Sequence, residues 1–277
     1  MVKKIKKILA YYLHKEKNQY HDNVLSGIKL KGLKGTYREK TDKDDAWFFE
    51  LAKNSEHIFD IGCNIGYMSL IAAIQKKNKS IVLADPNPEA LAKAAQNMVI
   101  NNFGLKTRFI SAFIGDSDSE KVKFYTVGSG AAGSMYASHA ETALAVNSFY
   151  EVEKMTIDTL VKKVGYVPDL IKIDVEGAEY LVLKGAVKTA SQKKSAFFIE
   201  MHSPKELPMV KNASLVLQWC KSNAYKAYYL KEAVELVDKE MIAKRGKCHL
   251  LLLPEGEPYP DYLKNIKEGS PLPISIS

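Results

Sequence analysis

Two short segments set acidic residues around a glycine turn in a way that suits one kind of ligand. The stretch IFDIGCNIGYMSL places Asp60 at the end of an apolar run, Gly62 and Gly66 in the turn that follows, and Asn64 between them. Glycines at the carboxyl end of a strand let the backbone approach a ligand with no Cβ in the way. The spacing is GxxxG, not the GxGxxG of dinucleotide binders, and a carboxylate ahead of the turn is a poor neighbour for a pyrophosphate. About 20 residues on, IVLADPNP ends in Asp85, at the place from which an acidic side chain holds the two hydroxyls of a ribose. Both carboxylates together suit a nucleoside that is positively charged and free of phosphate. S-adenosylmethionine, with its sulfonium and ammonium, is such a molecule.

A second constellation lies in DLIKIDVEGAEYLVLKGA and FFIEMH. Strand alternation puts Lys172 and Asp174 on one face and Ile171 and Ile173 on the other. A lysine in an otherwise apolar strand is costly unless paired, so Glu200 or Asp174 is its expected partner. Transfer of a methyl group to a hydroxyl requires the oxygen to be held in line and to lose its proton. Asp174, Glu200 and His202 are the expected groups around that hydroxyl, one of them taking the proton, with Lys172 beside them. A rival arrangement has Asp174 and Glu200 hold a divalent cation that acidifies the hydroxyl, and the residues alone leave the choice open. Glu176 and Glu179 stand where the next helix starts, a favoured place for negative charge, and Glu176 is also a candidate substrate contact.

These residues need a scaffold of alternating strands and helices. Helical periodicity is predicted over 44–53, 67–76, 88–102, 158–164, 178–190 and 213–222. Short apolar runs over 57–61, 80–84, 107–114, 170–174, 196–201, 226–230 and 248–253 make seven strands for a main sheet, and further strands are predicted at 121–127 and 152–156. Such alternation implies βαβ units on a mostly parallel sheet. The loop over 128–142 is rich in Gly, Ser and Ala, and is either an ordinary connection or a lid over the substrate. Ser129, Ser134, Tyr136 and His139 are its polar candidates for substrate contact.

The chain divides into a basic N-terminal extension over 1–43, a domain over 44–253 and a tail over 254–277. Its 277 residues carry a formal net charge of +8, yet residues 1–43 hold 12 basic and 4 acidic side chains, leaving 28 of each sign beyond them. The excess is therefore confined to the extension, where an amphipathic helix over 5–13 could dock on anionic lipid, on the domain or on a second subunit. Of 40 basic residues only Arg38, Arg108 and Arg245 are arginine, which with a charge-balanced domain argues against a nucleic-acid partner. Three cysteines without a CxxC pattern argue against a disulfide framework or zinc site and fit a reducing cytoplasm. No apolar run reaches the roughly 18 residues of a membrane span, and the N-terminus is a poor signal peptide.

Read together, the blocks DIGCNIGYMSL, LADPNPEALAKAAQNMVINN, MTIDTL, DLIKIDVEGAEYLVLKGA and FFIEMH resemble the ordered signature of the FkbM-type S-adenosylmethionine-dependent methyltransferases, from about residue 59 to residue 202. LIKIDVEGAEYLVLKGA is the most specific of them. Cys63 stands where the family usually has Ala, and Asp85 where it more often has Glu. The resemblance implies a Rossmann-like class I methyltransferase fold, with a seven-stranded, mostly parallel sheet, helices on both faces and an antiparallel last strand. It implies a cofactor set of Asp60, Gly62, Asn64 and Gly66 around the methionine portion, Asp85 on the ribose and Ala112 near the adenine. Asp116, in IGDS, is a further adenine candidate or a turn residue.

The resemblance also implies O-methylation, of a sugar hydroxyl in glycan biosynthesis or of a secondary-metabolite hydroxyl. The acceptor is expected to be a sugar or glycan, free or linked to a nucleotide or lipid. An N-methyltransferase on nucleic acid is disfavoured because DVEG stands where an Asn or Asp followed by Pro-Pro and an aromatic is expected. A non-catalytic cofactor-binding scaffold is disfavoured because Asp60, Asp85, Asp174 and Glu200 are all retained.

Overall fold

The computed structural model describes residues 20–38, 40–75, 79–118, 121–125 and 149–274. The expected helix over 5–13 and the loop over 128–142, with Ser129, Ser134, Tyr136 and His139, lie outside the described residues.

Strands β1 (Tyr20–Leu25) and β2 (Ile28–Leu33) form an antiparallel hairpin, followed by helix α1 (Asp45–Lys53). Then come β3 (His57–Ile61), α2 (Tyr67–Ala73), β4 (Ser80–Asp85), α3 (Pro88–Ile100), β5 (Thr107–Ser111) and β6 (Phe113–Ile114). β7 (Val122–Tyr125) and β8 (Phe149–Val152) pair antiparallel, and β9 (Lys154–Met155) pairs with β6. α4 (Ile157–Val164), β10 (Leu170–Ile173), α5 (Glu179–Lys184), α6 (Val187–Ser191), β11 (Ala196–His202), α7 (Met209–Asn223), β12 (Tyr225–Tyr229), β13 (Val234–Glu235) and β14 (Lys247–Pro254) complete the fold.

The main sheet has the order β13-β12-β14-β11-β10-β3-β4-β5. β5, β4, β3, β10 and β11 are parallel, and β14 runs antiparallel to both its neighbours. This is the expected Rossmann-like arrangement of seven strands, to which two-residue β13 adds an edge by folding back on β12. Alternate residues feed two cores: Phe59, Ile61, Val82, Ile171 and Ile173 face α4 to α7, whereas Ile58, Leu83, Phe198 and Leu251 face α1 to α3. With both faces covered, apolar residues run nearly unbroken along the inner strands.

The differences from expectation are local. The strand predicted over 107–114 breaks at Ala112, so that its second part leaves the main sheet and pairs with β9. The helix predicted over 178–190 divides into α5 and α6 at Gly185, where an added Cβ would stand 2.1 Å from the Gly115 carbonyl oxygen. That break lets the chain after β6 pack against it.

The extension also departs from the weak pattern read in it. In IKLKGL, Leu30, Gly32 and Leu33 are buried, and the hairpin is tied to α3. The Asn97 side chain accepts from the Leu33 amide at 3.0 Å and from the Thr36 hydroxyl at 3.3 Å, and donates to the Ile65 carbonyl at 3.2 Å. The tail likewise packs on the domain: the Trp47 indole donates to the Ile266 carbonyl at 3.1 Å, and Leu263 is buried. Asn97→Ala should lower the unfolding free energy by about 1–3 kcal/mol, since it strands the buried groups it satisfies. Urea denaturation checks this, and an unchanged midpoint would show that the hairpin is not anchored there.

Candidate active site

Lys172 is buried at the carboxyl end of β10, in register with Asp60 on β3. Its ammonium lies 3.3 Å from Asp60 Oδ1 and 3.2 Å from Asp174 Oδ2, and donates to the Gly62 carbonyl at 3.3 Å. Burial opposes its charge, but Asp174, Asp60 and Glu200 hold its pKa well above the ordinary lysine value. The second Asp60 oxygen accepts from the Ser69 hydroxyl at 2.6 Å. Asp60 is thus fully buried and turned to Lys172 and α2, and the expectation that it touches the cofactor is corrected: the lysine has taken its charge. Lys172 finds one of its two expected partners, Asp174, and the other role falls to Asp60 rather than Glu200.

The brace draws the turn after β3 against the end of β10. Gly62 adopts φ +74°, and a Cβ on it would stand 1.8 Å from the Asp174 carbonyl oxygen. Gly66 adopts φ +80°, and a Cβ there would stand 2.9 Å from Ala94 Cβ on α3. These glycines are required by the protein's own close approaches, so the ligand clearance first read into them is not the leading reason. The Asn64 amide, at φ +48°, donates to Asp85 Oδ2 at 2.8 Å, and the Asn87 amide donates to Asp85 Oδ1 at 2.8 Å. Asp85 therefore fixes the turn to the end of β4. Burial pushes its carboxyl up to about 6, with the amides of Asn87 and Asn64 opposing.

A cavity of about 630 Å³ opens above these strand ends. Gly62, Asn64 and Asp85 line one part, Ala112, Phe113, Ile114 and Phe124 form an apolar wall, and Asp174, Val175 and Glu176 close the other end. Ala112, expected near the adenine, lines this cavity. Neither Gly66 nor Asp116, which was read as an adenine candidate or a turn residue, lines the cavity. The Asp116 carboxylate pairs with Lys154 at 2.7 Å and Lys184 at 3.0 Å. A second cavity, of about 560 Å³, is lined by Gly35 to Arg38, the turn from Gly62 to Ile65, Tyr67, Met68, Lys172 and Asp174. The two share Gly62, Asn64 and Asp174.

Asp174, Glu200 and His202 each place a side-chain donor atom within 4.8 Å of the others, yet they face different partners. His202 Nδ1 lies 2.8 Å from Glu179, while Nε2 lies 3.5 Å from Glu176 and 4.0 Å from Asp174. Burial opposes protonation, but the hydrogen bond and charge of Glu179, with Glu176 and Asp174, raise its pKa to about 9. The ring therefore carries a proton at neutral pH and is poorly suited to accept another. Glu200 contacts Lys247 and His249 and lines neither cavity. Of the three residues expected around one hydroxyl, Asp174 lines the cavities, whereas Glu200 and His202 line neither; Lys172 reaches the second cavity beside Asp174. Burial raises the Asp174 carboxyl, Lys172 opposes, and Glu200 and Glu176 add to the rise.

Several site residues had no role in the sequence reading. Glu179, fully buried, accepts from the Gly177 amide at 2.9 Å and from Asn212 at 3.2 Å, and so anchors His202. Its charge at a helix start disguised it, although a carboxylate in an apolar helix face was a usable signal. Tyr37, Arg38 and Tyr67 were hidden because the first two belong to the extension. The Arg38 guanidinium lies 4.6 Å from the Tyr67 ring centroid and 3.2 Å from Asp45. Glu176 does line the cavity, in a left-handed conformation at φ +52° that a side chain rarely adopts without tertiary support.

The Methyltransferase FkbM domain matches residues 60–227, and the chain belongs to that family of S-adenosylmethionine-dependent methyltransferases. Among solved structures it is similar to the methyltransferase FkbM of Methylobacillus flagellatus at 16% identity and a TM-score of 0.44, covering 72% of this chain and 43% of that one. It is also similar to the SAM-dependent methyltransferase of Agrobacterium tumefaciens (13%, TM-score 0.47, 86% and 71% covered). A third likeness is M. jannaschii TYW2 in complex with AdoMet (13%, TM-score 0.43, 84% of each chain covered). The chain spans less than half the length of the first of these. No curated protein matches it.

The cavity fits the cofactor of this family. Asp85 has two oxygens, each holding one backbone amide, and a carboxylate has about four acceptor sites, which leaves capacity for two ribose hydroxyls. The wall from Ala112 to Phe124 suits a flat base, and Asp174 and Glu176 supply negative charge for a sulfonium. Because the ionised form of Asp85 is the acceptor, affinity for S-adenosylmethionine should fall as pH drops through about 6 and level off above it. Asp85→Asn should weaken binding and flatten that profile. Calorimetric titration between pH 5 and pH 8 reads both, and an equal pH slope in wild type and variant would remove Asp85 from the site.

Proposed function

We propose that the chain is an O-methyltransferase acting on a sugar hydroxyl, with Asp174 as the proton acceptor. The observation that supports this most is that, among the described residues, Asp174 is the one acidic side chain lining both cavities. A donor in the first cavity and an acceptor in the second meet at its carboxylate. S-adenosylmethionine, when bound, supplies an electrophilic methyl on sulfur.

Asp174 would accept the hydroxyl proton as the carbon–oxygen bond forms and the carbon–sulfur bond breaks, the sulfonium leaving as a neutral thioether, and Lys172 keeps the carboxylate aimed and partly neutralised until that moment. The second cavity is suited to a carbohydrate. Tyr37 and Tyr67 meet edge to face with centroids 6.4 Å apart, giving aromatic walls with hydroxyl tips, and Arg38 is held by Asp42 and Asp45. Asp42 and Asp45 both pair with Arg38 Nη1 and offset its charge, which lessens the pull on an anionic acceptor relative to an uncharged sugar. A glycan acceptor, free or linked to a nucleotide or lipid, in biosynthesis on the cytoplasmic side is the proposed setting. Among the described residues no helix is long and apolar enough to cross a membrane.

Incubation of a panel of free, nucleotide-linked and lipid-linked sugars with methyl-labelled cofactor should yield a sugar methyl ether. Methylation of amines or phenols only would refute the sugar reading. Asp174→Asn should lower kcat by roughly 10²- to 10⁴-fold, the usual worth of a positioned base, while cofactor affinity shifts far less. Tyr37→Ala should chiefly raise the acceptor KM. A kcat unchanged by Asp174→Asn would place the base elsewhere.

A further inference from the structure

Glu200 belongs to a second group of side chains that methyl transfer does not use. On β14, His249 stands directly across from Glu200 of β11, so the two project from the same face. His249 Nε2 lies 3.5 Å from Glu200 Oε1 and 3.7 Å from Asp44 Oδ2, and all three residues are buried. His249 Nε2 makes no hydrogen bond of acceptable geometry although it is shielded from solvent, and Glu200 Oε1, equally shielded, is met by the ammonium of Lys247. The imidazole is fixed by near-parallel stacking on Phe198 at 6.0 Å and by Trp47 at 5.8 Å. Asp44 occupies the N-cap of α1, where an aspartate ordinarily accepts from its own helix, yet its carboxylate makes no such bond and is directed at His249.

We infer that Asp44, Glu200 and His249 form a binding site for a divalent first-row transition metal. Ligands at about 2.0–2.2 Å in tetrahedral array around such an ion stand about 3.3–3.6 Å apart, close to the separations seen here. One imidazole with two carboxylates favours zinc, manganese or cobalt over magnesium or calcium, which prefer all-oxygen shells. The ammonium of Lys247 contacts Glu200 Oε1 from the surface, and its half-exposed side chain can swing outward as the ion takes its place. The neighbouring group of Asp174, Glu200 and His202 is the weaker candidate, because His202 Nδ1 is engaged by Glu179 and its ring is held by carboxylates on both nitrogens. A bound ion would join the start of α1 to two strands of the sheet and so link the extension to the floor of the site.

The test uses the full chain stripped with a chelator and titrated with Co²⁺, whose visible absorption reports imidazole and carboxylate ligation, and with Zn²⁺ by calorimetry. One equivalent should bind, with a rise in the thermal midpoint. His249→Gln should weaken binding at least tenfold, since even the supports of metal ligands are worth about 10- to 100-fold. His202→Gln should change it little, and Lys247→Met should tighten it by removing the competing ammonium. Should His249→Gln fail to fold, Asp44→Asn serves in its place. The inference is overturned if the wild-type chain binds neither ion, even where Lys247→Met does, or if His202→Gln abolishes binding that His249→Gln retains.

Discussion

The buried ammonium of Lys172 organises the strand ends that carry the site. Lys172 occupies an inner strand of a sheet covered on both faces, and an unpaired charge there costs several kcal/mol. Asp60 from the adjacent strand and Asp174 from the end of its own strand neutralise it, and the Gly62 carbonyl completes its shell. Replacing such a set by apolar residues often costs a protein little, whereas removing one member leaves a stranded charge. Its retention is therefore better understood through what it positions than through stability. It fixes where β3 ends, where β10 ends and how near the two ends come.

The remaining geometry follows from that closeness. The glycine turn has to cross against the Asp174 carbonyl, which leaves no room for a Cβ at Gly62. Once the turn is pinned, the Asn64 amide points at Asp85, and the carboxylate that holds the turn also lines the first cavity. The same brace presents Asp174 at the boundary of two cavities while its neighbours turn away: Glu200 toward Lys247 and His249, His202 toward Glu179. Methyl transfer needs little more from a protein than alignment and a proton acceptor. A rigid floor with one ionisable group exposed at the junction answers that need.

Much of this was legible in the sequence. Short apolar runs alternating with helical periodicity pointed to the sheet and its helices, and Asp85 and Asp174 could be placed at the ends of two of those runs. What escaped were facts of tertiary pairing. Asp60 could be placed at a strand end, but not assigned to Lys172 rather than to a ligand, because that depends on the register of two strands far apart in the chain. Asp116 reads as a cavity residue until Lys154 and Lys184 arrive from distant segments. Glu179 looked like a charge placed for the helix dipole, and only the approach of His202 and Asn212 shows it as an anchor. The basic extension hid a hairpin because its alternating lysines dominate the composition, while the leucines between them carry the packing.

The proposed reaction requires Asp174 to lie where donor and acceptor meet. The most direct measurement is a crystal structure of the chain with S-adenosylhomocysteine bound. The ribose should sit on Asp85, the base against Ala112 and Phe124, and the sulfur at the opening between the cavities beside Asp174, with the second cavity, lined by Tyr37 and Tyr67, left for the acceptor. A ligand whose sulfur turns away from Asp174, or whose methionine portion fills the second cavity, would contradict this.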